Sequence, residues 1–285
     1  MFSLLKAIIA VCLSLIISFS YGEEVILHIN KGEIQIDEQT FTATAFNPTE
    51  ELNSKNEIIS LPPGDAHTFV IFNNDSLTHD FTIPGLLTSG NSIQPGMSES
   101  FEIAFPEEGA FSYYSSTTYG KNCGAFGVIH IWQEEGTAFY WNLFDLNTSN
   151  SLSFANTQLT EYPDEYLPEL FLINGTFFPH TLEDENTLVA INLGETCEIV
   201  VANGGYMDHV LHFHGFHVTV KYQSGAAPML DWSKDTVPIK SGETMILELT
   251  ANLAGIYPVH DHNLIAVTNA GFYPGGMLTQ IHVAE

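Results

Sequence analysis

The sequence predicts an all-β protein made of two tandem β-sandwich domains, and three observations carry that reading. Short apolar runs rich in β-branched and aromatic residues alternate with turns of Pro, Gly, Asn and Asp. No stretch keeps a helical period beyond a turn or two. The chain also repeats its own plan after roughly 120–130 residues.

The expected strands follow in order. "EVILHI", "EIQI", "TFVIFNN", "HDFTI", "SFEIAF", "FSYYSS" and "FGVIHIW" make up the first half. "ELFLING", "TLVAINL", "CEIVVANGG", "HVLHFHGFHVTV", "TMILELT", "GIYPVH" and "LTQIHV" make up the second. The halves run in step. "LPPGDAHTFVIFNND" leading to His79 matches "NLGETCEIVVANGG" leading to His209, and "GAFGVIHI" closes one half as "GGMLTQIHV" closes the other. The acidic "QEEGT" is the natural join, which sets the first domain at 23–135 and the second at 136–285.

Ahead of them, "MFSLLKAIIAVCLSLIISFSYGEE" carries one lysine, an apolar run and the small residues Ser20 and Gly22. This is the pattern of a signal peptide over 1–22, with cleavage expected after Gly22 and a secreted or periplasmic product. The run is short for a bilayer span of about 20 residues, and no later segment is long and apolar enough, so no membrane partner is expected.

The chain holds 34 acidic residues against 7 lysines and no arginine, a net charge of −27. That balance argues against nucleic acid and anionic lipid as partners; the acidity reads first as a solvated, soluble surface and second as attraction of cations. Beyond the leader, the cysteines are Cys123 and Cys197; a disulfide between halves or subunits and two unpaired thiols both remain open. Asn74, Asn147 and Asn174 are glycosylation sequons, relevant only where the source glycosylates. No phosphate loop, CxxC pair, HExxH helix or GxSxG elbow is present.

Two His-X-His pairs carry the chemistry: His212 with His214, and His260 with His262. Residues i and i+2 on a strand share a face, so each pair points one way. On neighbouring strands four imidazoles can converge on one ion. Imidazole suits copper, and the Irving–Williams order makes Cu(II) the strongest divalent competitor. The bland alternative is four histidines decorating a strand edge.

Together, "HVLHFHG", "HDH…GGM" and "LINGTFFPHT…LGET" resemble the tandem cupredoxin domains of laccase-type multicopper oxidases and copper nitrite reductases. The resemblance implies Greek-key sandwiches, copper, and a homotrimer, since two-domain relatives place copper between subunits. It implies that the His-X-His pairs supply half the ligands of a three-copper cluster. It also makes His209 the first histidine of a type 1 copper site, whose thiolate position is taken by Asp261 and whose second histidine position is taken by Ala266. Met277 falls at the axial place. In the first domain His79 matches a type 1 histidine, while Ser115 stands at the thiolate position and Tyr114 where nitrite reductase has a histidine. Cys123 comes too late, and no His-X-His pair is present. His28, His67, His79, His130 and His180 are read as structural.

Asp261 lies between two ligands, so it faces the other side of its strand. It is expected in the old type 1 pocket, hydrogen-bonded to His209. Three functions stay open: a copper-dependent oxidoreductase acting on a small molecule, a copper-binding or sequestering protein without turnover, and, behind both, a metal-free structural or adhesive β-sandwich.

Overall fold

The computed structural model describes residues 22–64, 66–88, 90–132 and 136–285. The expected leader lies outside the described residues except for Gly22. Strands of the first half are β1 (Glu24–Ile36), β2 (Gln39–Asn47), β3 (Ile58–Leu61), β4 (His67–Asn73), β5 (Ser98–Ile103) and β6 (Gly109–Tyr114), then helix α1 (Thr118–Asn122) and β7 (Phe126–Ile131). The second half begins with β8 (Ala138–Leu146), helix α2 (Thr148–Ala155), β9 (Leu170–Ile173), β10 (Val189–Asn192), β11 (Thr196–Asn203) and β12 (His209–Phe213). It continues with β13 (Val218–Gln223), β14 (Ser233–Lys234), β15 (Thr236–Ile239), β16 (Thr244–Thr250), β17 (Gly255–Asp261) and β18 (Leu278–Ala284).

These strands form two sandwiches. In the first, the sheet β2-β1-β4-β5 faces the sheet β3-β7-β6; in the second, β14-β13-β16-β11-β8-β9 faces β10-β18-β17-β12-β15. The internal repeat is visible in the pairing. β1 runs parallel to β4 as β8 does to β11, and β3 runs parallel to β7 as β10 does to β18. Alternation fills each interior: β4 reads buried and half-buried in strict turn, and so does β12. Phe46, Phe69, Phe81 and Tyr113 fill the first core; Trp141, Phe171, Phe213 and Leu247 fill the second.

Both halves use the same asparagine turn. Asn73 donates to the carbonyls of Leu77 and Ile93 at 2.8 Å, and Asn203 donates to those of Met207 at 2.8 Å and Ile239 at 3.4 Å. Each turn delivers a fully buried histidine, His79 or His209. "HDFTI" departs from expectation: residues 79–83 make only isolated bridges, to Ile93, Tyr114 and Leu87. Pro84 follows and cannot donate to a ladder.

Candidate metal centre

β12 and β17 are antiparallel neighbours, and their register sets His212 directly opposite His260. Leu211, Phe213, Val259 and Asp261 point into the sandwich, so alternation turns His212 and His260 outward, where both are half-buried. The second histidine of each pair lies one residue past its strand: β12 ends at Phe213 and β17 at Asp261. Gly215, at φ +77°, makes the turn after His214; a Cβ there would meet the Tyr257 ring at 2.6 Å.

All four rings nevertheless cluster. Ring centroids lie 4.7 Å apart for His212 and His214, 5.2 Å for His214 and His260, 5.5 Å from His212 to each of His260 and His262, and 6.4 Å for His260 and His262. The Nε2 atoms of His214 and His260 are 3.1 Å apart. Two ligands about 2.0–2.1 Å from a tetrahedral ion are about 3.3 Å apart, so this pair has the spacing of co-ligands.

Hydrogen bonds select the free nitrogens. His212 Nδ1 is held by the Asp235 carbonyl at 3.2 Å and Thr236 Oγ1 at 2.9 Å, and His260 Nδ1 by the Asp261 carbonyl at 2.8 Å. A carbonyl only accepts, so both Nδ1 atoms carry the proton and both Nε2 atoms offer a lone pair. His214 Nε2–H then donates to His260 Nε2; for His214 to ligate through Nε2, that proton would have to sit on its other ring nitrogen. Burial, then the neighbouring His212 and His260, lowers the pKa of His214, which keeps it neutral and able to ligate. Among the described residues no three His, Cys, Asp or Glu side chains have their donors already gathered as a metal shell. Within the cluster His214 and His260 are the pair joined by a hydrogen bond; the rings of His212 and His262 pack beside them.

Beneath the cluster, Asp261 turns inward as alternation requires. Its Oδ2 lies 2.5 Å from His209 Nδ1, and its Oδ1 accepts from the backbone of Asn263 at 2.7 Å and Val210 at 3.4 Å. The other ring nitrogen, His209 Nε2, meets Asp145 Oδ1 at 3.2 Å. All three side chains are fully buried. Burial alone would drive the proton off His209, but the hydrogen bonds and charges of Asp145 and Asp261 outweigh it and raise the pKa to about 9. The first domain repeats this arrangement: His79 Nδ1 lies 3.0 Å from Ser115 Oγ and Nε2 lies 2.9 Å from Asp75. In each half the residue at the expected thiolate position thus bonds the buried imidazole.

The second carboxylate has changed strands. Asp75 comes from the asparagine turn itself, whereas the equivalent position of the second turn is Gly205. A Cβ at 205 would lie 2.0 Å from Asp145 Oδ1, so the glycine makes room for a carboxylate from β8. Sequence reasoning missed Asp145, although one acid inside the apolar run "AFYWNLFDL" was a usable signal. It also missed Tyr166, whose hydroxyl donates to Asp145 Oδ2 at 2.6 Å.

Met277 and Ala266 are buried in the second core, and the Met277 carbonyl accepts from the Asp261 backbone at 3.0 Å. Cys123 and Cys197 are free and buried, which closes the disulfide question in favour of thiols. Of the other histidines read as structural, His28 stacks on Phe72, His67 and His130 are buried and hydrogen-bonded, and His180 pairs with Asp37 and Glu183.

Residues 146–275 match the multicopper oxidase family model. No curated protein matches the sequence significantly. The blue copper oxidase from Nitrosomonas europaea superposes with a TM-score of 0.78 at 20% identity, covering 92% of this chain and 86% of that one. Copper nitrite reductase from the same organism gives 0.72 at 16% identity, with 93% and 95% covered. Laccase from Botrytis aclada gives 0.71 at 19% identity, with 92% of this chain and 52% of the laccase covered. No helix among the described residues is long and apolar enough to cross a membrane.

Proposed function

We propose that this chain, a tandem cupredoxin similar to multicopper oxidases and copper nitrite reductases, binds copper through His212, His214, His260 and His262 on its second domain, residues 136–285. The observation that carries the proposal is the 3.1 Å approach of His214 Nε2 to His260 Nε2, with the Nδ1 atoms of His212 and His260 already engaged by carbonyls. A copper ion held by imidazoles without a thiolate supplies one-electron chemistry of the type 2 or type 3 kind. The chain's own contribution is to fix tautomers, keep His214 neutral and seal the space below with the Asp145–His209–Asp261 plug.

The proposed activity is oxidoreduction of a small molecule by an exported protein. His214 and His262 are exposed, which admits a substrate to the site. Exposed Leu264, Ile265, Phe272 and Tyr273 follow His262 in one loop and give an apolar surface that a second copy in a trimer would cover. A second reading, capture of copper without turnover, is favoured by the same open position and by the −27 charge, which concentrates cations.

Competition with a chelator at neutral pH tests the site. Wild type is expected to hold copper and a His212→Ala/His260→Ala double variant to lose it; equal binding by both refutes the assignment. Turnover of oxygen or nitrite by the loaded protein separates the oxidoreductase from the capture protein.

A further inference from the structure

Three tyrosines stack against the buried plug on the side of Asp145. The rings of Tyr162 and Tyr166 are 4.8 Å apart, those of Tyr166 and Tyr206 4.9 Å, and those of Tyr162 and Tyr206 4.6 Å. Tyr206 is 56% exposed, while Tyr162 and Tyr166 are half-buried. The cluster therefore runs from solvent to the carboxylate of Asp145.

Among the described residues Tyr166 is the one tyrosine whose hydroxyl reaches a carboxylate, Asp145 Oδ2 at 2.6 Å, with the Asp145 backbone carbonyl as a second acceptor at 2.8 Å. The others with hydroxyl donors, Tyr113, Tyr119, Tyr140 and Tyr257, give theirs to a carbonyl or to the Ser60 hydroxyl. That difference matters for redox chemistry. A phenol loses an electron readily only if its proton leaves as well, and a hydrogen-bonded base provides the exit. Asp145 is suited to the task. Its Oδ2 lies 2.6 Å from the Tyr166 hydroxyl in a fully buried space, and the other oxygen of the same carboxylate is held by His209 Nε2 at 3.2 Å. Burial, followed by the charge of Asp145, raises the Tyr166 pKa, so the phenol holds its proton until the electron departs.

We propose that Tyr166 is a redox-active tyrosine, with Asp145 as its proton acceptor and Tyr162 and Tyr206 as its connection to reductants in solution. In the oxidising step the Tyr166 O–H bond breaks and an O–H bond to Asp145 Oδ2 forms. The electron passes to a one-electron oxidant, and Tyr166 becomes a neutral phenoxyl radical. In the return step an exogenous hydroquinone at Tyr206 supplies the electron across the edge-on and tilted rings and loses its own proton to water. The proton on Asp145 goes back to Tyr166. The direction of this path rests on the copper reading: the imidazoles of the histidine cluster would hold Cu(II), which would supply the one-electron oxidant. The plug runs on to that cluster, because the Asp261 carbonyl accepts from His260 Nδ1.

The test uses the full chain freed of metal, so it does not depend on copper. A ruthenium tris(bipyridine) flash with a sacrificial acceptor oxidises the protein, and the phenoxyl radical is followed by transient absorption and electron paramagnetic resonance. Tyr166→Phe is expected to lower the long-lived radical about tenfold, the scale set by one charge-assisted hydrogen bond. Tyr273→Phe, at an exposed ring with no carboxylate partner, is expected to leave it unchanged. Asp145→Asn, which keeps an acceptor but takes no proton, is expected to slow formation and remove the solvent isotope effect. Should that variant fail to fold, the Tyr166→Phe comparison decides alone. An undiminished radical in Tyr166→Phe overturns the proposal. A Tyr166 radical in a protein that fails the chelator competition leaves the tyrosine standing and removes the copper reading; copper binding without a Tyr166 radical does the reverse.

Discussion

Replacing Asp261 by alanine should separate stability from metal affinity. The side chain has no exposure, bonds His209 at 2.5 Å, and accepts from two backbone amides. Its removal leaves a buried imidazolium with one partner, and breaking a buried charged pair costs about 3–5 kcal/mol. The loss carries a pH signature. His209 rises from 6.5 to about 9 on folding, which at about 1.36 kcal/mol per pH unit contributes about 3 kcal/mol. Because the folded pKa is the higher one, that contribution is complete below pH 6.5 and fades as pH rises through about 9. In Asp261→Ala only Asp145 supports the charge, so the fade should be smaller and end at lower pH. Urea unfolding at mildly acid and at alkaline pH, followed by Trp141, which stacks on Phe213 in the second core, measures both effects. Copper affinity should hold within about a factor of three, because the carboxylate faces away from the imidazoles. A stability loss under about 1 kcal/mol near pH 6, or a collapse of copper binding, would refute this account of the plug.

Several other outcomes are expected. His212→Ala and His260→Ala should each weaken copper at least about tenfold with unchanged circular dichroism, read by chelator competition. Copper affinity should fall as pH drops below about 6.5, because imidazole binds metal only when neutral; a flat titration would point to other ligands. Copper-loaded protein should lack the intense visible band of a copper–thiolate bond. Burial pushes the Cys123 thiol up to about 11 and the Cys197 thiol up to about 12, so neither offers a thiolate at neutral pH. For the same reason both should resist a thiol reagent in the folded state and react once urea is added.

The β-sandwich fold was legible because period-2 alternation and turn residues are local signals, repeated across both halves. The pairing of His212 with His260 was legible in kind, since His-X-His on two strands implies a shared face. The register that sets them opposite each other comes from non-local ladder pairing, which no local pattern specifies. Asp261 turning inward followed from its place between two outward residues. Asp145 did not follow from anything local: its role depends on Gly205 leaving space some sixty residues later in the chain, a relation only the packed structure expresses. "HDFTI" looked like a strand by composition, yet residues 79–83 spend their backbone groups on isolated bridges because the burial of His79 and its partners governs that segment.

The plugs in the two halves also bear on how such a molecule is made. In each, an imidazole tied at both nitrogens fills its pocket from within: Ser115 and Asp75 around His79, Asp261 and Asp145 around His209. A newly made chain therefore completes both interiors with its own side chains and has no need to wait for an ion. The histidine cluster sits outside those interiors, so the proposed copper would come and go there without touching the scaffold. On that proposal, biogenesis and metal supply would be uncoupled, and the protein would keep one shape through scarcity and abundance.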